Sequence, residues 1–304
     1  YMSKVDAASD VSLSYPEYAN LGGSASGSYS ATPTYRTYMY HLNDDNSVVY
    51  GAYNKKKKIL LVGATHGSEN AGSYNLYLFA KNLCECPNED YFKLRSAFEF
   101  YIVPCLNGYG MYHYQRYNAN GVDINRNYPI ANFVVSDADH TGAFGASEFE
   151  TQLIVALQGK YGFDIAIDHH NYGYANNSQF YTESRYDRFR PLSNAALNDC
   201  SHAFIKKYPE YFGTKHELFI NVAGASLPAT VFSDAMATME RWFWEQSIDF
   251  SATIEISNQI NYVNGSPIST ESATKNSADT FSVGEFTLRN QMLYYCGFVI
   301  GSIA

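Results

Sequence analysis

His66 and Glu69 stand three residues apart in the stretch LVGATHGSENAG, directly after the apolar run Ile59-Leu60-Leu61-Val62. An imidazole and a carboxylate at that spacing can meet one metal ion if the chain turns helically between them, because positions i and i+3 share a face. Gly67, between them, lets the backbone come close without side-chain bulk. A third donor is available in Asp168-His169-His170-Asn171. Two imidazoles and one carboxylate leave a position on zinc for water, which is how catalytic zinc sites are built. Strand alternation sends His169 and His170 to opposite faces, so one of the two faces the site. Asp168 is placed to orient a ligand from behind. Spacing alone leaves a second reading open, in which His66 caps a strand end, Glu69 begins a helix and the histidine pair is structural.

These residues need strands to carry them. The Ile59 to Ala64 run reads as a strand buried on both faces, as do Phe98 to Leu106 (FEFYIVPCL) and Phe163 to His169 (FDIAIDH). Ser251 to Ile256 reads as a shorter one, and Thr34 to His41 and Ser47 to Tyr53 also read as strands. Helices are expected over Asn70 to Leu83, from the Ser147-x-x-Glu150 capping box to Gly159, over Leu192 to Tyr208, Ala229 to Gln246 and Val283 to Cys296. Residues 20–33, rich in Gly, Ser and Ala, read as loop or hairpin, and Asn258 to Thr280 as polar and irregular. Strands alternating with helices predict an α/β protein, a single-domain α/β/α sandwich with a twisted mixed sheet over residues 1–304. Residues 1–14 are open to reading as an N-terminal extension. Ligands of such folds collect at the carboxyl ends of the strands. His66, Asn107 and His170 fall there, and Glu255 lies in the later strand.

Charged residues make up 17% of the 304 residues, below the roughly 25% usual in soluble domains. Tyrosine fills the gap with 28 copies, and the net charge is -9. That balance argues against a nucleic-acid partner held through phosphates. The Lys55 to Lys58 run reads as a solvated turn entering a strand. Five cysteines, none in a C-x-x-C pair, leave disulfide state and redox compartment open. No signal peptide or membrane span is visible.

With these residues in hand, the sequence resembles the zinc carboxypeptidases of the carboxypeptidase A and B superfamily. His66-Gly67-Ser68-Glu69 matches the H-x-x-E metal motif, and Asp168-His169-His170 matches the D-x-H strand end, which selects His170. Pro104 to Tyr109 is similar to a degenerate asparagine-proline-aspartate-glycine stretch. Arg116 to Pro129 (RYNANGVDINRNYP) resembles the short loop of compact bacterial members, Ser147-Glu148-x-Glu150 the start of the next helix, and Thr253-Ile254-Glu255 the strand with the catalytic glutamate. The matches run in family order from about Tyr15 to Ile300.

The resemblance implies one zinc ion per chain, held by His66, Glu69 and His170, with Glu255 as general base and Arg116 steadying the oxyanion. It implies that Asn125 and Arg126 grip the terminal carboxylate of a peptide, that Tyr172 lines a subsite, and that the specificity pocket falls near Glu240. An acidic floor there favours amino-bearing side chains; the competing reading of Glu240 is a solvated helix charge. Asp123 is expected to brace the loop. The implied activity is zinc-dependent hydrolysis of the C-terminal peptide bond. Two alternatives stand beside it: a peptidase of peptidoglycan stem peptides, with diaminopimelate and D-glutamyl linkages, and an inactive zinc-binding recognition module. A relative that removes acyl groups from amino acids is also compatible with Asn125-Arg126-Asn127. One departure is plain: no tyrosine lies between Phe212 and Asn261, where the classical enzymes carry a mobile one, and Phe232 lacks the hydroxyl to replace it. The composition and the compact spacing favour an extracellular or cell-envelope protein of bacterial origin.

Overall fold

The computed structural model describes residues 2–14, 35–43, 56–172, 179–181, 236–257, 262–263 and 266–267. Seven strands form one mixed sheet in the order β1-β2-β4-β3-β5-β7-β6. They are β1 (Met2–Asp6), β2 (Tyr38–Leu42), β3 (Lys57–Gly63), β4 (Phe98–Val103), β5 (Ile165–Tyr172), β6 (Gln179–Tyr181) and β7 (Phe250–Ser257). The inner pairs β4/β3, β3/β5 and β5/β7 are parallel, and the outer ones antiparallel. The three apolar runs of the sequence are thus three adjacent central strands, as parallel strands covered on both faces require.

Alternation along β3 builds both layers. Ile59 and Leu61 pack with Phe79, Leu83, Tyr91 and Leu94 of helices α2 (Asn70–Glu85) and α3 (Glu89–Ala97). Leu60 and Val62 pack on the other face with Leu153 and Leu157 of α5 (Phe149–Tyr161) and Trp242 and Phe243 of α6 (Met239–Glu245). The result is the expected α/β/α sandwich. Two short helices complete the described set, α1 (Ala7–Asp10) and α4 (Gly108–His113).

Several local readings change. The segment open to reading as an extension supplies β1, which pairs along its length with β2, and α1, whose Ala7 and Ala8 are fully buried. Helix α3 has no counterpart in the sequence reading; the Asn88 side chain caps it by accepting from the Asp90 amide at 2.9 Å. The Ser147-x-x-Glu150 capping box does not form. Glu148 is the N-cap residue, and the Ser147 hydroxyl instead donates to the Glu148 carboxylate at 2.7 Å. Helix α6 starts ten residues later than the expected Ala229, with residues 229–235 outside the described set. Lys57 and Lys58 lie in β3, not in a solvated turn. Lys57 pairs with Asp164 and Asp249, and Lys58 Nζ donates to the Tyr161 carbonyl. Tyr262–Val263 and Ser266–Pro267 pair as a small antiparallel ribbon within the region read as irregular. The expected loop at 20–33, the strand Ser47 to Tyr53, and the helices Leu192 to Tyr208 and Val283 to Cys296 lie outside the described residues.

Among the described residues, no helix is long and apolar enough to cross a membrane. Cys84, Cys86 and Cys105 are free thiols, and burial pushes Cys105 up to about 12.

Candidate metal centre

Strand β3 ends at Gly63, and Ala64 then takes the left-handed conformation at φ 48°, which turns the chain back over the sheet edge. The Glu69 amide closes onto the His66 carbonyl at 3.0 Å, giving the helical turn that the H-x-x-E spacing requires. His66 Nδ1 is consequently 2.8 Å from Glu69 Oε1. From the end of β5, His170 Nδ1 approaches Glu69 Oε2 at 2.8 Å and His66 Nδ1 at 3.1 Å. One donor atom from each of the three residues lies within 4.8 Å of the others. Gly67 carries a steric requirement here: a Cβ on it would sit 1.9 Å from the Gly110 carbonyl carbon, so α4 can close on the metal loop only over glycine.

The far nitrogens of both imidazoles meet carboxylates. His66 Nε2 is 3.0 Å from Asp123 Oδ1, and His170 Nε2 is 2.7 Å from Asp168 Oδ2. Arg116 Nη1 lies 3.2 Å from His66 Nδ1 and can only donate. With its proton on Nε2, toward Asp123, His66 turns the Nδ1 lone pair to the site as a metal ligand requires; with Glu69 as the partner at 2.8 Å, Nδ1 donates instead. A carboxylate behind each metal-binding imidazole is the usual way to fix its tautomer and raise its basicity. Two Nδ1 atoms and two carboxylate oxygens converging on one point, each backed in this way, fit a divalent cation and match the donor preferences of zinc.

The charges agree. Burial opposes the charged form of Glu69, but His170 and then His66 outweigh it and hold Glu69 far below the usual carboxylate range. Burial likewise opposes the charged His170, and Asp168 and Glu69 outweigh it, so His170 titrates well above an ordinary histidine. His169 faces the opposite layer, under Gly72 of α2. Burial first, and the neighbouring His170 second, lower it to about 3, so it stays neutral.

Arg116 is held by Asp123 Oδ2, at 2.8 Å from Nε and 2.7 Å from Nη2, which leaves Nη1 at the rim, 3.6 Å from Glu69 Oε1. Asp123 does brace the loop, as expected, by accepting from the Asn125 amide at 3.0 Å. It also orients His66, a role the sequence reading missed; the only signal was an acid three residues before the Arg126 of the loop motif. Asn125 is buried, with Oδ1 accepting from the Met239 amide at 3.0 Å, so its oxygen anchors α6. Arg126 Nη1 donates to the Asn125 carbonyl at 2.7 Å. Glu255 is the register partner of His170, and Tyr172 ends β5 opposite Ser257. The side chains of both lie outside the described residues, as does Phe232.

Glu240 is not a solvated helix charge. It is fully buried, and its Oε2 accepts from the Thr253 hydroxyl at 2.8 Å. Its backbone carbonyl accepts from Ser251 Oγ at 2.7 Å, and Oε1 has no hydrogen-bond partner among the described residues. Burial raises its pKa.

The loop has its own buried acids. Asn118 Nδ2 donates to Glu148 at 2.7 Å and Glu150 at 3.1 Å, while its Oδ1 accepts from the amides of Asn120 and Val122. Burial raises Glu150 from 4.5 to about 7. Its folded pKa therefore exceeds the unfolded one. The contribution of this one group to stability is most favourable below about pH 4.5, falls as pH rises toward 7, and above that is a constant penalty of about 3 kcal/mol at most. Glu150→Gln keeps an acceptor for Asn118 and cannot ionise. Urea denaturation should show it more stable than the parent at pH 8 and closer to it at pH 4.5. An equal difference at both pH values would refute the assignment.

Residues 22–275 match the zinc carboxypeptidase family model. A stretch of 92 residues, 30% of this chain and 17% of the relative, is 32% identical to the probable carboxypeptidase 2 of Trichophyton verrucosum. Another of 95 residues, 31% of this chain and 35% of the relative, is 30% identical to murein peptide amidase A of Escherichia coli. These alignments span well under half of either curated relative. Two solved structures share the fold. The metallo-carboxypeptidase of Burkholderia cenocepacia superposes with a TM-score of 0.57 at 17% identity, over 86% of this chain and 62% of that one. The carboxypeptidase A of Helicoverpa armigera gives 0.60 at 15% identity, over 86% and 64%. With the family match covering most of the chain and the H-x-x-E and D-x-H residues converging on one point, the chain belongs to the zinc carboxypeptidase family.

Proposed function

We propose that this chain is a zinc-dependent metallocarboxypeptidase that removes the C-terminal residue of peptides. The observation that carries the reading is the convergence of His66 Nδ1, Glu69 and His170 Nδ1, with Arg116 at the rim. When bound, zinc supplies a Lewis acid for the scissile carbonyl and lowers the pKa of a water. Glu255, level with His170 in the sheet, takes the proton of the attacking water and passes it to the leaving amine. Arg116, with Nη1 at the rim of the site, steadies the developing oxyanion, a contribution of several kcal/mol in a water-poor site. Asn125 Nδ2 and the Arg126 guanidinium receive the terminal carboxylate, and the fork geometry of arginine suits two parallel charged bonds. Tyr172 lines the adjoining subsite.

Glu240 forms the floor of the side-chain pocket and selects an ammonium-bearing terminal residue. Its buried Oε1, without a hydrogen-bond partner among the described residues, supports this, since a substrate ammonium would satisfy that oxygen. The same pocket suits diaminopimelate, and the similarity to murein peptide amidase A favours a second reading, cleavage of peptidoglycan stem peptides. An extracellular or cell-envelope setting accords with both and with the tyrosine-rich, charge-poor composition.

One assay separates these readings: purified protein, with its zinc counted, is given free-acid peptides of varied terminus, their amides and muropeptide stems. Zinc-dependent loss of single residues from free acids, with lysine or arginine preferred and amides resistant, is the expected result. Cleavage confined to stems selects the second reading. Stoichiometric zinc with no cleavage selects a recognition module. If Glu240→Ala leaves the side-chain preference unchanged, the acidic pocket is excluded.

A further inference from the structure

We propose that Thr65 is a positioning residue of the metal centre: its hydroxyl fixes the Asp168 carboxylate so that the second oxygen of that carboxylate holds His170. The inference rests on the metal-site reading above and goes beyond it to a residue that contributes no ligand.

Thr65 Oγ1 donates to Asp168 Oδ1 at 2.8 Å, and Asp168 Oδ2 lies 2.7 Å from His170 Nε2. Thr65 is 1% exposed and Asp168 0%, so no bulk water competes for either group. Thr65 immediately precedes His66, and Asp168 stands two residues before His170. The hydroxyl therefore links the two metal-bearing segments, 104 residues apart between ligands, through one hydrogen bond and one short ion pair. The backbone is shaped for this. Ala64, in its left-handed conformation, turns Thr65 off β3, and Asn107 grips the turn by donating its amide to the Ala64 carbonyl at 3.0 Å.

The two imidazoles are backed differently. Asp123, behind His66, is itself held by Arg116 and by the Asn125 amide. Among the described residues, Asp168 has Thr65 alone as the donor to its other oxygen. A carboxylate held at one oxygen by a fixed donor keeps its second oxygen in one place; without that donor it can rotate, and the imidazole loses its set orientation. Loss of such outer partners typically weakens metal binding by 10–100-fold.

The test uses the full chain with Thr65→Val, which fills the same space without a donor, and Thr65→Ser, which keeps the donor. Zinc dissociation constants are measured by competition with a chromogenic chelator, and the visible spectrum of the cobalt-substituted protein reports ligand geometry. Thr65→Val should bind zinc about 10–100-fold more weakly and shift the cobalt bands, with Thr65→Ser close to the parent. Thr65→Ala, which cannot clash, should repeat the loss and serves if the valine variant does not fold. A valine or alanine variant with parental zinc affinity overturns the proposal while leaving the metal site intact. So does a serine variant as weak as valine, which would assign the effect to the lost methyl group. A parent protein that binds no zinc overturns the metal-site reading, and this inference with it.

Discussion

Glu255→Gln should leave one zinc bound per chain and lower kcat on free-acid peptides by about 10²–10⁴-fold. Glutamine matches glutamate in size and keeps a hydrogen-bonding carbonyl, but it cannot take a proton at neutral pH. Position 255 is level with His170 across the β5/β7 pair, one strand away from a metal donor, and the described residues already supply three clustered ligands. Metal content and turnover should therefore separate, a loss of about 3–5 kcal/mol in transition-state stabilisation with no loss of zinc. Steady-state hydrolysis beside elemental analysis of the same sample decides it. Turnover within threefold of the parent removes Glu255 from the mechanism. Zinc lost together with activity would make it part of the metal site.

The central layer of this protein was readable because its signals are local and redundant. Strands β3, β4 and β5 are covered on both faces, so each appears as an unbroken apolar run, and helix α2 starts within the same stretch as the H-x-x-E spacing. The metal donors were readable for a related reason: a helical turn after a strand fixes where i and i+3 point. What escaped depends on distant partners. Strand β1 is short and only partly buried, and it exists because β2 is beside it. Ser147 carries the letters of a cap, but Asn127 Nδ2 at 2.9 Å and the Glu148 carboxylate at 2.7 Å claim its hydroxyl first. Glu240 reads as a surface charge on a helix, and only the packing of α6 against Ser251 and Thr253 of β7 reveals it as buried. Asp123 and Thr65 orient ligands through contacts spanning 57 and 103 residues, which no spacing rule records.

Removing either histidine ligand should abolish zinc binding and activity, yet the two variants should differ sharply in the stability of the metal-free protein. His170→Ala strips the partner from Asp168, a fully buried carboxylate whose remaining described contact is the neutral Thr65 hydroxyl. An uncompensated buried charge of this kind costs about 3–5 kcal/mol. His66→Ala strips one contact from Asp123, but Arg116 still pairs with that carboxylate through Nε and Nη2, and the Asn125 amide still donates to it. The smaller loss there is a buried hydrogen bond plus a packing defect, about 1–3 kcal/mol. Chelator-treated samples of both variants, unfolded in urea beside the parent, should therefore rank parent, His66→Ala, His170→Ala in falling stability. The parent itself should stay folded after chelation, because Glu69 then pairs with His170 and His66 in place of the metal. Equal stability of the two variants would show that Asp168 finds another partner or a proton once His170 is gone. That outcome would separate the electrostatics of the site from its coordination geometry, since both variants lack a ligand and only one leaves a buried anion behind.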